Sequence, residues 1–145
     1  MKYPTLIFGI SVALFACSNN AVNKQQEERV IHYKETVALP TAGTLTFAEV
    51  EDSRCPENVQ CVWAGNATVD LQLRSGQANQ EPQTVKMCLG DCSPLYPKSG
   101  FREADTVQVS VQGTPHTLIL TQVSPYPNTT KPTKKEDYTI QLKIQ

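Results

Sequence analysis

Apolar and polar residues alternate with a period of two along much of this chain, the signature of strands with one buried face. The clearest run is Thr106 to Gln112, which sets Val107, Val109 and Val111 on one face and Gln108, Ser110 and Gln112 on the other. Tyr138 to Ile144 repeats it with Ile140, Leu142 and Ile144 inward, and Ala67, Val69, Leu71 and Leu73 do the same before the turn at Ser75-Gly76. Val37 with Leu39, and Leu45 with Phe47, form an earlier pair around Pro40-Thr41-Ala42-Gly43. Val50 is out of phase with Phe47, so a bulge is expected near Ala48 to Glu49, where one extra residue restores the inward face. Gln83 to Cys88 and His116 to Val123 complete a set of about seven strands. Helical periodicity is weak throughout.

This pattern predicts an all-β fold, an antiparallel two-sheet sandwich, immunoglobulin-like in general architecture. A small open barrel is the alternative. Ten prolines, nearly all between the runs, suit either, since proline cannot donate to a central ladder. If successive strands reverse direction, the connections sort by parity. The three longest, Asp52 to Gly65, Cys88 to Ala104 and Ser124 to Asp137, then share one end. Long irregular loops on a rigid scaffold are where binding tends to sit, so that end is the candidate face.

The first residues break the pattern. One positive charge at Lys2 precedes an apolar run from Leu6 to Phe15, too short to span a bilayer as a helix but suited to a secretory signal peptide. It ends in Leu14-Phe15-Ala16-Cys17, which resembles the lipobox of bacterial lipoproteins. The resemblance implies cleavage before Cys17, acylation of its sulfur, and anchoring to a membrane by acyl chains worth about 0.8 kcal/mol per buried methylene. It further implies the bacterial cell envelope, and Ser18 is compatible with the outer membrane in a Gram-negative cell. The organisation read from this is a signal peptide over 1–16, a lipidated flexible tether over 17–30, polar and without aromatics, and a single β-sandwich domain over 31–145.

Charge narrows the partners. Lys and Arg number 13 against 14 Asp and Glu, and the basic cluster of Lys131, Lys134 and Lys135 is followed at once by Glu136 and Asp137. Nothing here suggests a nucleic-acid partner. The expected partners are the membrane, through the acyl chains, and an envelope protein, peptide or glycan.

Beyond Cys17, cysteines 55, 61, 88 and 92 make an even number in a chain bound for an oxidising compartment, so two disulfides are expected. Cys55 with Cys61 and Cys88 with Cys92 is the preferred pairing, because each pair brackets a turn; a cross pairing is feasible, since both loops lie at one end. The alternative for Met87-Cys88-Leu89-Gly90-Asp91-Cys92 is copper binding or thiol redox chemistry, because thiolate and thioether ligands select Cu(I). That stretch looks like the motif of copper-delivery proteins with a thioredoxin fold, which place it between a strand and a helix. No helix is evident here, and neither His32 nor His116 stands at ligand spacing. No cofactor or metal is expected.

Residues 52 to 65, D-S-R-C-P-E-N-V-Q-C-V-W-A-G, resemble a box found in a group of small bacterial secreted proteins and lipoproteins. The resemblance carries no catalytic residue with it. Read from the residues, Asp52 and Ser53 can bond the following turn, Arg54 offers a planar fork, and Trp63 is expected to pack on the Cys55 to Cys61 bridge. The functional reading joins Asp52, Arg54 and Trp63 to Tyr96, Phe101 and Tyr126 from the other long loops as a candidate binding cluster. A hydrolase would need a carboxylate pair such as Asp52 with Asp91 or Asp105. The chain contains no nucleophile elbow, zinc-protease motif or phosphate loop. The expectation is therefore a non-enzymatic binding or structural module.

Overall fold

The computed structural model describes residues 27–145 apart from positions 78 and 99. Cys17, the signal peptide and most of the tether lie outside the described residues. Among the described residues nine strands form: β1 (Glu27–His32), β2 (Thr36–Ala38), β3 (Thr44–Asp52), β4 (Asn66–Arg74), β5 (Gln83–Asp91), β6 (Phe101–Arg102), β7 (Asp105–Val111), β8 (Thr114–Ser124) and β9 (Thr139–Ile144). A single 3-10 turn, Lys135–Asp137, precedes β9.

Every pairing is antiparallel, in two sheets of order β1-β9-β8-β7 and β2-β3-β4-β5-β6. The result is an all-β sandwich, not a closed barrel. After β1 the chain crosses to the second sheet, runs through it as a meander, and returns at β7. The first described strand therefore pairs with the last, His32 opposite Thr139.

The two strands beyond the expected seven are β1 and β6. Polar composition places Glu27 to Val30 in the tether, yet they belong to β1 as an edge strand whose one fully buried side chain is Ile31. An edge strand needs only one wetted face and one short stripe of core, so its sequence resembles a linker. β6 is two residues long and has no period to read.

Inward faces follow the alternation. Leu45, Phe47, Val50, Ala67, Val69, Leu71 and Leu73 meet Val109, Val111, Leu118, Leu120, Ile140, Leu142 and Ile144 across the sandwich. Burying each large one contributes about 1.5–3 kcal/mol. The expected bulge is present: the β3–β4 register slips between Phe47 and Glu49, so that Phe47 and Val50 both face inward, opposite Leu71 and Val69. An equivalent slip between Leu120 and Gln122 in β8 does the same for Leu120 and Val123.

Candidate functional site

The three long connections do share one end, and side chains sew them together. Asn58 of the first loop donates to the Thr129 hydroxyl at 2.6 Å and accepts from the Thr129 amide at 3.0 Å, while Asn128 donates to Glu57 at 2.8 Å. On the other side the Asp91 amide donates to the Gly65 carbonyl at 2.8 Å. That contact needs glycine on both chains. Gly65 has φ +68°, and a Cβ there would stand 1.9 Å from the Ser53 carbonyl oxygen; Gly90 has φ +95°, and a Cβ there would stand 2.6 Å from the Gly65 oxygen.

Asp52 and Arg54 form the centre of this end. Arg54 Nε donates to Asp52 Oδ1 at 2.9 Å and Nη2 to Oδ2 at 2.5 Å, a bidentate pair whose side chains are only 3% (Asp52) and 8% (Arg54) exposed. The other guanidinium protons reach the carbonyls of Val123 at 2.9 Å and Pro125 at 3.1 Å, and the Tyr126 ring stacks on the guanidinium at 4.3 Å. The Tyr138 hydroxyl donates to Asp52 Oδ2 at 3.0 Å. Burial, then the Asp52 charge and this hydrogen bond, push the Tyr138 phenol up to about 12. A charge pair this dry holds only because its lone pairs and protons are matched. Its work is to fasten the third loop to the first.

A second network of the same composition sits under the middle loop. Asp105 is fully buried; its Oδ2 accepts from the Cys88 amide at 2.9 Å and the Tyr96 hydroxyl at 3.1 Å, and Arg102 pairs with its Oδ1. Arg102 also stacks on the Tyr96 ring at 3.8 Å. Burial, followed by the charge of Asp105, raises the Tyr96 phenol above its ordinary value. The sequence offered Asp105 only as half of a carboxylate pair. In the structure Asp52 and Asp105 each carry their own arginine and tyrosine, and Asp91 accepts from the Ser93 hydroxyl at 2.6 Å.

Both cysteine pairs are at disulfide distance, Cys55 with Cys61 and Cys88 with Cys92, as preferred from their spacing. Cys88 and Cys92 have no exposed surface. Met87 belongs to the core between the sheets, and strand alternation turns Cys88 to the opposite face. The thiolate and thioether of the copper reading therefore do not converge. Among the described residues no group of three or more His, Cys, Asp or Glu is arranged to hold a metal ion.

Trp63 corrects an expectation. It does not pack on the Cys55 to Cys61 bridge but is 78% exposed, next to Val62 at 92%. Both point outward while Arg54 turns in. Phe101 is 65% exposed, and Tyr126 is exposed beside it around a groove of about 230 Å³ lined by Arg54, Gly65, Gly90, Phe101, Arg102 and Tyr126. Of the six candidate binding residues, Arg54, Phe101 and Tyr126 thus line one groove, Trp63 stands one residue from its Ala64 wall, and Asp52 lies beneath. Tyr96 instead lines a neighbouring depression with Leu95, Pro97 and Arg102. A larger hollow, about 570 Å³, lies between the first and third loops and includes Glu57, Asn128, Lys131 and Asp137. No single loop announces it, because its walls come from segments some 70 residues apart, as the Glu57 to Asn128 bond shows.

No protein-family model, curated protein or solved structure matches the chain.

Proposed function

We propose that this protein is a lipid-anchored component of the bacterial envelope whose loop end is a non-enzymatic binding face. The lipobox ending at Cys17 supports the anchor. The binding reading is carried by one observation: Trp63, Phe101 and Tyr126 stand exposed around a groove whose backbone is fixed by two disulfides and two Asp-Arg pairs, the aspartate buried in each. Exposed aromatics held rigidly lose little entropy on binding and form the anchors of recognition surfaces.

The charges narrow the ligand. Arg54 and Arg102 both line the groove, but each is committed to its own aspartate. An anionic ligand therefore finds no uncommitted guanidinium there and meets the exposed Glu103 carboxylate on the same wall, so a neutral glycan or polypeptide segment with an apolar face fits best. The same commitments leave Asp52 and Asp105 without the free oxygen that acid or base catalysis on a substrate would use.

Trp63 is the sole tryptophan and supplies the test. Titration with neutral envelope glycans and peptides is expected to shift its emission to the blue in a saturable way, with the shift lost in Phe101→Ala. Emission that stays at the wavelength of a solvated indole with every fraction would overturn the reading.

A further inference from the structure

The four sheet edges are not protected alike. β2 has three residues and leaves the rest of β3 with Glu49 and Glu51; β6 has two and leaves 83–89 of β5 as the edge, where Lys86 is charged, the Cys88 amide is taken by Asp105 and the Lys86 carbonyl by Tyr96; β1 carries Glu27, Glu28 and Arg29. Shortness and charge are the usual defences against addition of a foreign strand. β7 is the fourth edge, seven residues reading D-T-V-Q-V-S-V, without Lys or Pro, and its only charge, Asp105, is buried. Thr106, Gln108 and Ser110 are its exposed, neutral positions.

The register tells which backbone groups point outward. Gln112 and Gly113 both have positive φ, 53° and 78°, and form a two-residue turn, so the flanking Val111 and Thr114 are a hydrogen-bonded pair. Alternation then gives the ladder bonds to Val109 with His116, Val107 with Leu118 and Asp105 with Leu120. The N–H and C=O of Thr106, Gln108 and Ser110 therefore face away from β8. Among the described residues no other element's backbone bonds to them.

We propose that β7 pairs antiparallel with β7 of a second copy about a two-fold axis at Gln108, joining the two β1-β9-β8-β7 sheets into one. In that register Thr106 meets Ser110 of the second copy, Gln108 meets its own counterpart, and Val107 meets Val109. All three outward residues bond, whereas a slip of two residues in either direction carries one of them past the strand end. The strand is self-complementary, as an isologous interface requires: residue i meets j, and j meets i. It has no exposed charge that would oppose itself or select a charged peptide instead. β1, which receives the chain from the N-terminal side, is at the opposite edge of the same sheet, three strand spacings or about 14 Å away.

The two-fold axis provides its own test in the full-length chain. Opposed hydrogen-bonded residues have Cα atoms about 5.5 Å apart, within disulfide range. Gln108→Cys is therefore expected to give a covalent dimer under oxidising conditions, above the wild-type background that shares Cys17 and above Thr36→Cys on the β2 edge. Sedimentation in detergent is expected to give twice the chain mass for wild type. It should give the single chain mass for Gln108→Pro, which removes an N–H the hairpin does not use, and for Gln108→Lys, which opposes two charges across the axis, with both variants still unfolding in one cooperative transition whose midpoint, unlike that of wild type, does not rise with protein concentration. A wild-type monomer at every concentration, cross-linking at 108 no greater than at 36, or a dimer that survives both substitutions would each overturn the proposal.

Discussion

Arg54 grips the carboxylate of Asp52, two residues upstream, and with the same guanidinium holds the carbonyls of Val123, in the other sheet, and of Pro125, just beyond its strand. One planar group thus closes the β3–β4 loop on itself and fastens it to the end of β8. Arg54→Ala removes the partner of a buried carboxylate and leaves two carbonyls unmet. A loss of about 3–5 kcal/mol is expected for breaking one side of such a pair. Arg54→Lys should recover little, since an ammonium cannot reproduce the fork. Trp63→Ala, at 78% exposure, should change stability by less than about 0.5 kcal/mol. Urea denaturation of the three variants checks the division of this stretch into a staple, Asp52 with Arg54, and a presented aromatic, Trp63; equal losses at 54 and 63 would refute it.

Tyr138 makes the staple sensitive to alkali. Its phenol is raised from 10.0 to about 12 by burial first and by the Asp52 charge and hydrogen bond second. The folded protein therefore holds this proton more tightly than the unfolded chain does. The corresponding stability is fully present below pH 10 and is lost as the pH rises from there through about 12. Tyr138→Phe should cross over with wild type. At neutral pH it gives up a hydrogen bond to a charged acceptor, a loss of about 1.5–3 kcal/mol, but across the alkaline window its stability should fall less steeply. Thermal melts at several pH values, with tyrosinate absorbance followed in parallel, check both limbs. Parallel pH profiles for the two proteins would show that Tyr138 does not titrate in this way.

The sandwich and its core were legible because alternation reports burial directly: Val107, Val109 and Val111, or Ile140, Leu142 and Ile144, can satisfy only one face. The bulge was legible for the same reason, from the broken phase between Phe47 and Val50. β1 was not, because Ile31 is a single inward residue among polar ones. Nor was the direction of Trp63, since an aromatic in a loop packs or protrudes according to what its neighbours leave room for. The Asp105 network was hidden by distance along the chain: Cys88, Tyr96, Arg102 and Asp105 converge only once the middle loop folds back on β5. One signal pointed to it, an acid in the inward phase of the β7 alternation, ahead of Val107 and Val109. A buried acid demands partners.

Gly65 and Gly76 separate close approach from simple turn geometry. Both have positive φ, +68° and +79°, but a Cβ on Gly76 would meet nothing within 4 Å, whereas on Gly65 it would lie 1.9 Å from backbone. Gly76→Ala should therefore lose only the about 1–2 kcal/mol of the left-handed conformation. Gly65→Ala must in addition move the Ser53 chain, and with it the loop that presents Trp63. It should be much the less stable of the two and should alter Trp63 emission. Chemical denaturation with fluorescence reads both effects, and equal stability for the two variants would show that the Ser53 to Gly65 contact yields easily.

The two disulfides differ in access more than in loop size. They close sequence separations of 6 and 4 residues, for which chain entropy contributes about 2 kcal/mol in each case. Their surroundings do not match: Cys61 is exposed and Cys55 partly so, while Cys88 and Cys92 are fully buried, the first with its amide on Asp105. A thiol reductant must reach sulfur, so under native conditions it should open Cys55–Cys61 while Cys88–Cys92 waits for the middle loop to unfold locally. Alkylation after timed reduction, read by peptide mass spectrometry, should label positions 55 and 61 first. Replacing Cys88 and Cys92 together by Ala should also destabilise more than replacing Cys55 and Cys61, because it empties packed volume beside the Asp105 network as well as releasing the chain. If 88 and 92 label first, the middle loop opens more readily than its hydrogen bonds imply, and the rigidity attributed to the aromatic groove would fall with it.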